Sequence, residues 1–234
     1  ASAWEQRADS LAASLIKTRR ANEASDGVLA VAANEDLTYS KAEVEAVGEL
    51  EPATKILLGA KVTEKVIRDE LMTAPYRVIL LSTHGEVNEK KPYFSGLRLN
   101  KEPSGMNIPE NNGFLTVEEI QDFVLEGTDL VYLSSCESAS GRLYRGEGIV
   151  GMQRAFLIAG ANSVIANLWQ VDDKASKNLT IEFFKKWFSG TYTKAEALRQ
   201  AQLSQIDQLR KSSLFKKHPH PYFWAAVTLT GNPK

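Results

Sequence analysis

Two residues of this chain have the types and spacing that nucleophilic catalysis requires: a histidine and the single cysteine. His84 follows the apolar run at 76–81, and Cys136 follows the apolar run at 129–133. A thiol with an ordinary pKa of roughly 8.5 needs help to ionise at neutral pH. An imidazole within reach can take its proton and later donate that proton to a leaving amine. The pair therefore predicts a cysteine hydrolase, provided that the fold brings the two side chains together.

Backbone amides beside the pair could complete such a site. Gly85 has no Cβ, so its amide could approach a reacting carbonyl and form half of an oxyanion hole. The amide of Cys136 could form the other half. The alternative is structural, because a lone cysteine at the end of a strand is often only a small buried hydrophobic residue.

The elements that must position these residues alternate along the chain. Apolar runs predict strands at 28–32, 55–58, 76–81, 129–133, 163–166 and 224–230. Amphipathic patterns predict helices at 40–50, 63–72, 146–159, 173–188 and 193–211, with a short one after 116. This alternation predicts an α/β fold with a mostly parallel central sheet and helices on both faces. A crossover between adjacent parallel strands would bring the carboxyl ends before His84 and Cys136 together.

Local signals refine these boundaries. Ser40, Thr116 and Thr193 are each followed three positions later by a glutamate, which predicts three capping boxes. The polar stretch at 86–112 predicts a long loop with a small hairpin at 94–99, and loops of that length are usually functional or mobile.

Composition excludes several classes of protein. The 234 residues are 43% hydrophobic and 24% charged, which is an ordinary globular mixture and not that of a disordered or low-complexity chain. The net charge of −1 supplies no basic field for direct nucleic-acid binding. One cysteine excludes an intramolecular disulfide and fits a reducing compartment, so we expect the cytoplasm.

The sequence also bears on membranes and on the N-terminus. No apolar run reaches the roughly 18 residues that span a bilayer, so no membrane association is expected. Residues 1–20 have an amphipathic helical pattern without an initiator methionine or a signal-peptide pattern. We interpret the chain as a piece of a longer protein or as a processed product.

Six segments, taken together and in order, carry a resemblance to a known family. They are LSTHG at 81–85, LSSCES at 133–138, GEGIVG at 146–151, ANLWQVDD at 166–173, KAEALRQA at 194–201 and HPYFWAA at 220–226. The chain resembles a CHAT domain, a caspase-like cysteine peptidase module often attached to tetratricopeptide repeats and related to separase. The resemblance implies a caspase-like three-layer sandwich at 28–234, with 1–27 as a helical extension or the end of a preceding repeat region.

The same resemblance places the catalytic histidine at His84 and the nucleophile at Cys136. The Gln-Ala-Cys-Arg-Gly signature of true caspases is absent, so their preference for aspartate is not carried over.

Four further residues are candidates for substrate binding. Asp172 or Asp173 could pair with a basic residue before the cut bond, as acidic pockets do in related separase-like and metacaspase-like enzymes. Alternatively, Asp172 is an N-cap and Asp173 a first-turn acid that the helix dipole favours. Glu137 could shape the pocket or simply be solvated, and Trp169 could line a substrate groove or belong to the core.

These observations predict a cysteine endopeptidase that acts on a protein substrate without a metal or organic cofactor. An attached repeat domain or a partner protein is expected to regulate it. The main alternative is a caspase-like interaction or scaffold module without catalysis. A nucleotide-binding α/β domain is a weaker third hypothesis, because the chain has no adequate phosphate-binding motif.

Overall fold

The fold is described by a computed structural model of residues 27–34, 36–88, 90–102, 112–134, 147–169, 171–211 and 218–234. For residues 147–149 only the backbone is described. The predicted extension at 1–27 lies outside these ranges except for its last residue. That domain boundary therefore stays a prediction.

A six-stranded sheet forms the centre of the molecule, in the order β2-β1-β3-β7-β8-β9. Its strands are β1 (Val28–Ala32), β2 (Thr54–Leu58), β3 (Val78–Ser82), β7 (Leu130–Leu133), β8 (Ser163–Asn167) and β9 (Val227–Gly231). All neighbours pair in parallel except β8 and β9. Every residue of β1 and β3 is buried, which explains their continuous apolar runs.

Helices cover both faces of this sheet. They are α1 (Ser40–Leu50), α2 (Glu64–Thr73), α3 (Val117–Gln121), α4 (Glu147–Ile158), α5 (Asp173–Phe188) and α6 (Lys194–Lys211). Alternate strand residues face α1, α5 and α6 on one side and α2, α3 and α4 on the other. The predicted three-layer α/β architecture is confirmed. No helix in the described part of the chain has the length and apolar character needed to cross a membrane.

A second, smaller sheet flanks the segment predicted as a long loop, and its middle strand lies within the hairpin predicted at 94–99. It is antiparallel, in the order β4-β5-β6, with strands at β4 (His84–Glu86), β5 (Gly96–Arg98) and β6 (Phe114–Thr116). Gly96 permits the close approach of β5 and β6, since an added Cβ would lie 2.2 Å from the Leu115 carbonyl oxygen. The crossover from β3 to β7 therefore contains a folded arm that begins at His84.

Two of the three predicted capping boxes are confirmed. Thr116 and Thr193 each accept a hydrogen bond from the amide three positions on, and the glutamate there accepts from the backbone amide of the threonine. The box predicted at Ser40 is wrong, because Ser40 lies inside α1 and its hydroxyl donates to the Leu37 carbonyl at 2.9 Å. Its glutamate, Glu43, is buried beneath the sheet ends instead.

The last strand also begins later than predicted. A 3-10 helix at Pro221–Phe223 and a turn after it delay the start of β9 from position 224 to Val227. Pro221 stands at the first position of that 3-10 helix, where its missing amide costs nothing.

Candidate functional site

The segments that carry His84 and Cys136 leave the sheet side by side. Strands β3 and β7 are parallel neighbours, with Leu81 opposite Leu133, and the Ser134 amide donates to the Leu81 carbonyl at 3.0 Å. The predicted adjacency of these two strands is confirmed. Cys136 and Glu137 themselves lie outside the described residues, so their placement stays a prediction.

The His84 side chain is largely buried and is held through one ring nitrogen. Its exposed fraction is 14%, and Nε2 lies 2.9 Å from Asp36 Oδ2. A carboxylate can only accept, so in the neutral ring this contact places the proton on Nε2 and leaves Nδ1 as the acceptor nitrogen. Nδ1 is buried and has no hydrogen-bond partner among the described residues. The ring therefore has the tautomer that a general base needs.

The contact with His84 also changes the pKa of the Asp36 carboxyl group. The hydrogen bond from His84 lowers the pKa of Asp36 from its ordinary value. Asp36 is 71% exposed, so solvent weakens this interaction. The carboxylate stays ionised across the pH range in which an imidazole titrates.

The backbone around His84 is also fixed by hydrogen bonds. The His84 amide donates to Asn34 Oδ1 at 2.9 Å, and the Thr83 hydroxyl lies 2.6 Å from the same oxygen. His84 also pairs with Arg98 in the small sheet. Sequence reasoning missed Asn34 and Asp36. A signal was present, because both follow β1, whose carboxyl end adjoins that of β3.

Gly85 is buried in β4, opposite Leu97. It thus lies directly beside His84 on the arm that leaves the end of β3. Its role in an oxyanion hole stays a prediction.

The two acidic candidates at the start of α5 have different positions. The Asp172 carboxylate accepts from the Ala175 amide at 2.9 Å, so its interpretation as an N-cap is confirmed. Asp173 instead lines a cavity of about 20 Å³ together with Glu43, Ser82 and Ser134. A space of that size holds about one water molecule. An arginine or lysine side chain would fit there only if the cavity widened.

Trp169 is partly buried beside the end of β8. Its indole N–H donates to the Tyr222 carbonyl at 3.2 Å, and the side chain packs against a small cluster that includes Val171 and Ala226. These contacts favour the packing interpretation of Trp169 over a groove wall.

Comparison with known proteins places the chain in a family. The CHAT domain family model matches residues 3–232. The chain belongs to the CHAT domain family. This CHAT domain is also similar to Tetratricopeptide repeat protein 28 of Mus musculus, at 36% identity over 118 residues, and to that of Homo sapiens, at 31% over 121 residues. Each alignment covers 50% of this chain and 4% of the relative, so the chain spans only a small part of their length.

Solved structures share the fold. The Saccharomyces cerevisiae separase–securin complex aligns with a TM-score of 0.53 at 18% identity, covering 89% of this chain and 12% of that chain. The Arg-specific cysteine proteinase gingipain R aligns with a TM-score of 0.51 at 10% identity, covering 88% and 46%. The RgpB pro- and mature-domain complex of Porphyromonas gingivalis gives 0.50 at 12%, covering 88% and 47%. The caspase-like fold predicted for the CHAT domain is confirmed.

Proposed function

We propose that this CHAT domain is a cysteine endopeptidase with Cys136 as nucleophile and His84 as general base. The observation that carries the proposal is the pairing of β3 with β7, which starts the two dyad-bearing segments side by side. The Nδ1 of His84 is buried without a hydrogen-bond partner among the described residues, and this supports the proposal, because a general base needs an acceptor nitrogen inside the site.

The proposed reaction needs only groups of the chain and water. His84 takes the thiol proton, and the Cys136 sulfur attacks the peptide carbonyl carbon. The carbon–nitrogen bond breaks as the imidazolium donates its proton to the leaving amine. Water then attacks the thioester while His84 takes a proton from it, and the thiol leaves with that proton. The amides of Gly85 and Cys136 would hold the developing oxyanion.

The decisive test compares Cys136→Ala with the wild type on a peptide library, with attached repeat domains or partner proteins restored. We expect cleavage by the wild type and none by Cys136→Ala or His84→Ala. Equal cleavage by all three proteins would show that the dyad does not carry the reaction.

Asp36 is proposed to orient the His84 ring. Because Asp36 is 71% exposed, the pair is worth at most about 1 kcal/mol, or about fivefold in rate. We expect Asp36→Asn to lower kcat/KM by up to that factor. An unchanged kcat/KM would assign Asp36 no part in orienting the base.

A preference for a basic residue before the cut bond is proposed to come from the acids near the start of α5. Asp173 faces the same small cavity as the buried carboxyl of Glu43, which supports an acidic character there. We expect Asp173→Lys to weaken cleavage after arginine or lysine, whereas Asp172→Ser, which keeps the helix cap, should leave the preference unchanged. If both variants keep the same preference for cleavage after arginine or lysine, Asp173 has no part in the pocket.

The second candidate is an interaction module regulated through repeats. Similarity to two tetratricopeptide repeat proteins favours this alternative. It predicts that Cys136→Ala binds its partner protein as tightly as the wild type does and that neither cleaves it. For both candidates we place the protein in the cytoplasm, where a single thiol stays reduced.

A further inference from the structure

A buried carboxyl group joins the ends of the two central strands. Glu43, on α1, is 2% exposed. Its Oε2 accepts from the Ser82 hydroxyl at 2.6 Å, and its Oε1 accepts from the Ser134 hydroxyl at 2.7 Å. Each carboxylate oxygen thus has its own donor from a different strand end.

These serines occupy equivalent places on β3 and β7. Ser82 ends β3, and Ser134 follows β7 directly, with its amide bonded to the Leu81 carbonyl at 3.0 Å. In the sequence each serine stands two positions before a proposed dyad residue, His84 or Cys136. The Glu43 carboxylate therefore spans the gap between the two points where the dyad segments begin.

The same group is tied to the helical layer. The Ser134 hydroxyl lies 3.5 Å from the Ser176 hydroxyl on α5, and farther in, the Thr180 hydroxyl lies 3.1 Å from the Tyr132 hydroxyl. Helix α1 itself begins four positions after Asp36, the acceptor of the His84 ring. One buried network thus joins α1, β3, β7 and α5 at the carboxyl edge of the sheet.

Burying this carboxyl is costly. Burial raises the pKa of Glu43, and the hydroxyl donors of Ser82 and Ser134 only partly oppose that shift. Apolar side chains of similar volume often stabilise a core better than buried ionisable groups do. An ionisable bridge at this point is explained more simply by the geometry that it imposes on the two strand ends.

Building on the proposed Cys136–His84 dyad, we propose that Glu43 is a positioning residue that fixes the two dyad segments relative to each other. Its bonds to Ser82 and Ser134 are the contacts through which it acts on the two segments. An error of about 1 Å in such a site can lower a rate by roughly 100-fold. Loss of the bridge should therefore reduce the activation of the thiol, even in a chain that stays folded.

The single cysteine provides a readout that needs no known substrate. Iodoacetamide labelling of the 234-residue chain, followed by mass spectrometry from pH 5 to 9, measures how far Cys136 is activated. We expect an activated thiol in the wild type and an ordinary one in His84→Ala, with a midpoint of roughly 8.5. Glu43→Ala should lower the labelling rate at pH 6.5 by about tenfold or more, within the range expected for such misplacement.

Glu43→Gln tests geometry directly. The amide keeps the shape and one acceptor, and its N–H can donate to a serine oxygen, so the bridge can persist with a group that does not titrate. We expect Glu43→Gln to recover most of the wild-type labelling rate. Lys194→Met, at the opposite end of the sheet, serves as a control that lowers stability without touching the network, and its labelling profile should match the wild type.

The outcomes separate the two proposals. If His84→Ala changes the profile and Glu43→Ala does not, the positioning role is wrong and the dyad stands. If His84→Ala has no effect, the dyad itself is wrong. Should Glu43→Ala fail to fold, Ser82→Ala and Ser134→Ala each remove one bond, and wild-type profiles in both would overturn the proposal.

Discussion

The buried ion pair between Lys194 and Asp129 is expected to respond very unequally to loss of its two members. Lys194 Nζ lies 2.5 Å from Asp129 Oδ1; the lysine side chain is 0% exposed and that of the aspartate 31%. Asp129→Ala leaves a buried ammonium whose other acceptor among the described residues, the Asp129 carbonyl oxygen, lies 3.5 Å away. Removing one partner of a buried pair costs about 3–5 kcal/mol.

The reverse change is expected to be much milder. Lys194→Met keeps an apolar stem in place and leaves a carboxylate that water can reach. It loses the cation–π contact of Nζ with the Trp187 ring, at 5.9 Å, so we expect a cost of about 1–2 kcal/mol. Asp129→Ala should thus lower the free energy of unfolding by at least about 1 kcal/mol more than Lys194→Met does.

Urea unfolding followed by far-UV circular dichroism at pH 7 measures the free energy of unfolding of both variants. In thermal unfolding of a chain of this size, Asp129→Ala should lower Tm by roughly 6–20 °C, at about 2–4 °C per kcal/mol. The double variant Asp129→Ala/Lys194→Met should be more stable than Asp129→Ala alone, because it removes the stranded charge. A Lys194→Met cost equal to or above that of Asp129→Ala would refute the desolvation argument.

Three further predictions concern other parts of the fold. Burial raises the pKa of Glu64 to about 7 in the folded chain, from the ordinary value of 4.5, despite its Arg68 partner. The folded state therefore binds this proton more tightly than the unfolded state does, and the stability gained from it is complete below about pH 4.5 and lost as pH rises through 7. The difference in unfolding free energy between wild type and Glu64→Gln should therefore change between pH 5 and 8, and a constant difference would contradict this. Asp172→Ala should cost about 1 kcal/mol in urea unfolding and Asp172→Ser much less, whereas equal costs would exclude a capping role. Gly96→Ala places a Cβ 2.2 Å from the Leu115 carbonyl oxygen and should cost about 3 kcal/mol, and a neutral effect would mean that the small sheet shifts freely.

The sheet was largely predictable because its signals are local. Strands β1 and β3 are buried on both faces, so their apolar runs stand out from the chain around them. The capping boxes at Thr116 and Thr193 also depend on residues only three positions apart. The same local motif failed at Ser40, because Glu43 bonds to residues 39 and 91 positions away. A motif of four residues carries no information about such distant partners.

The candidate site was predictable to a similar degree. His84 could be found because it follows a strong strand, and the rule that sites lie at carboxyl strand ends applies to it directly. Asn34 and Asp36 obey the same rule, but their strand, β1, had to be known as the neighbour of β3. Strand order depends on packing between elements far apart in the chain, which the sequence pattern does not encode.

The folded arm between β3 and β7 has a consequence for the timing of assembly. Pairing of strands across such a crossover requires closure of a long loop, and the entropy is lost before the strand contacts can stabilise the chain. This slows folding. The bridge from Glu43 to Ser134 spans 91 positions, so it forms only when the chain has collapsed around both strand ends. A nascent or partly unfolded chain therefore has its histidine and its thiol on unconnected segments. Any chemistry that needs both groups is confined to the completed fold.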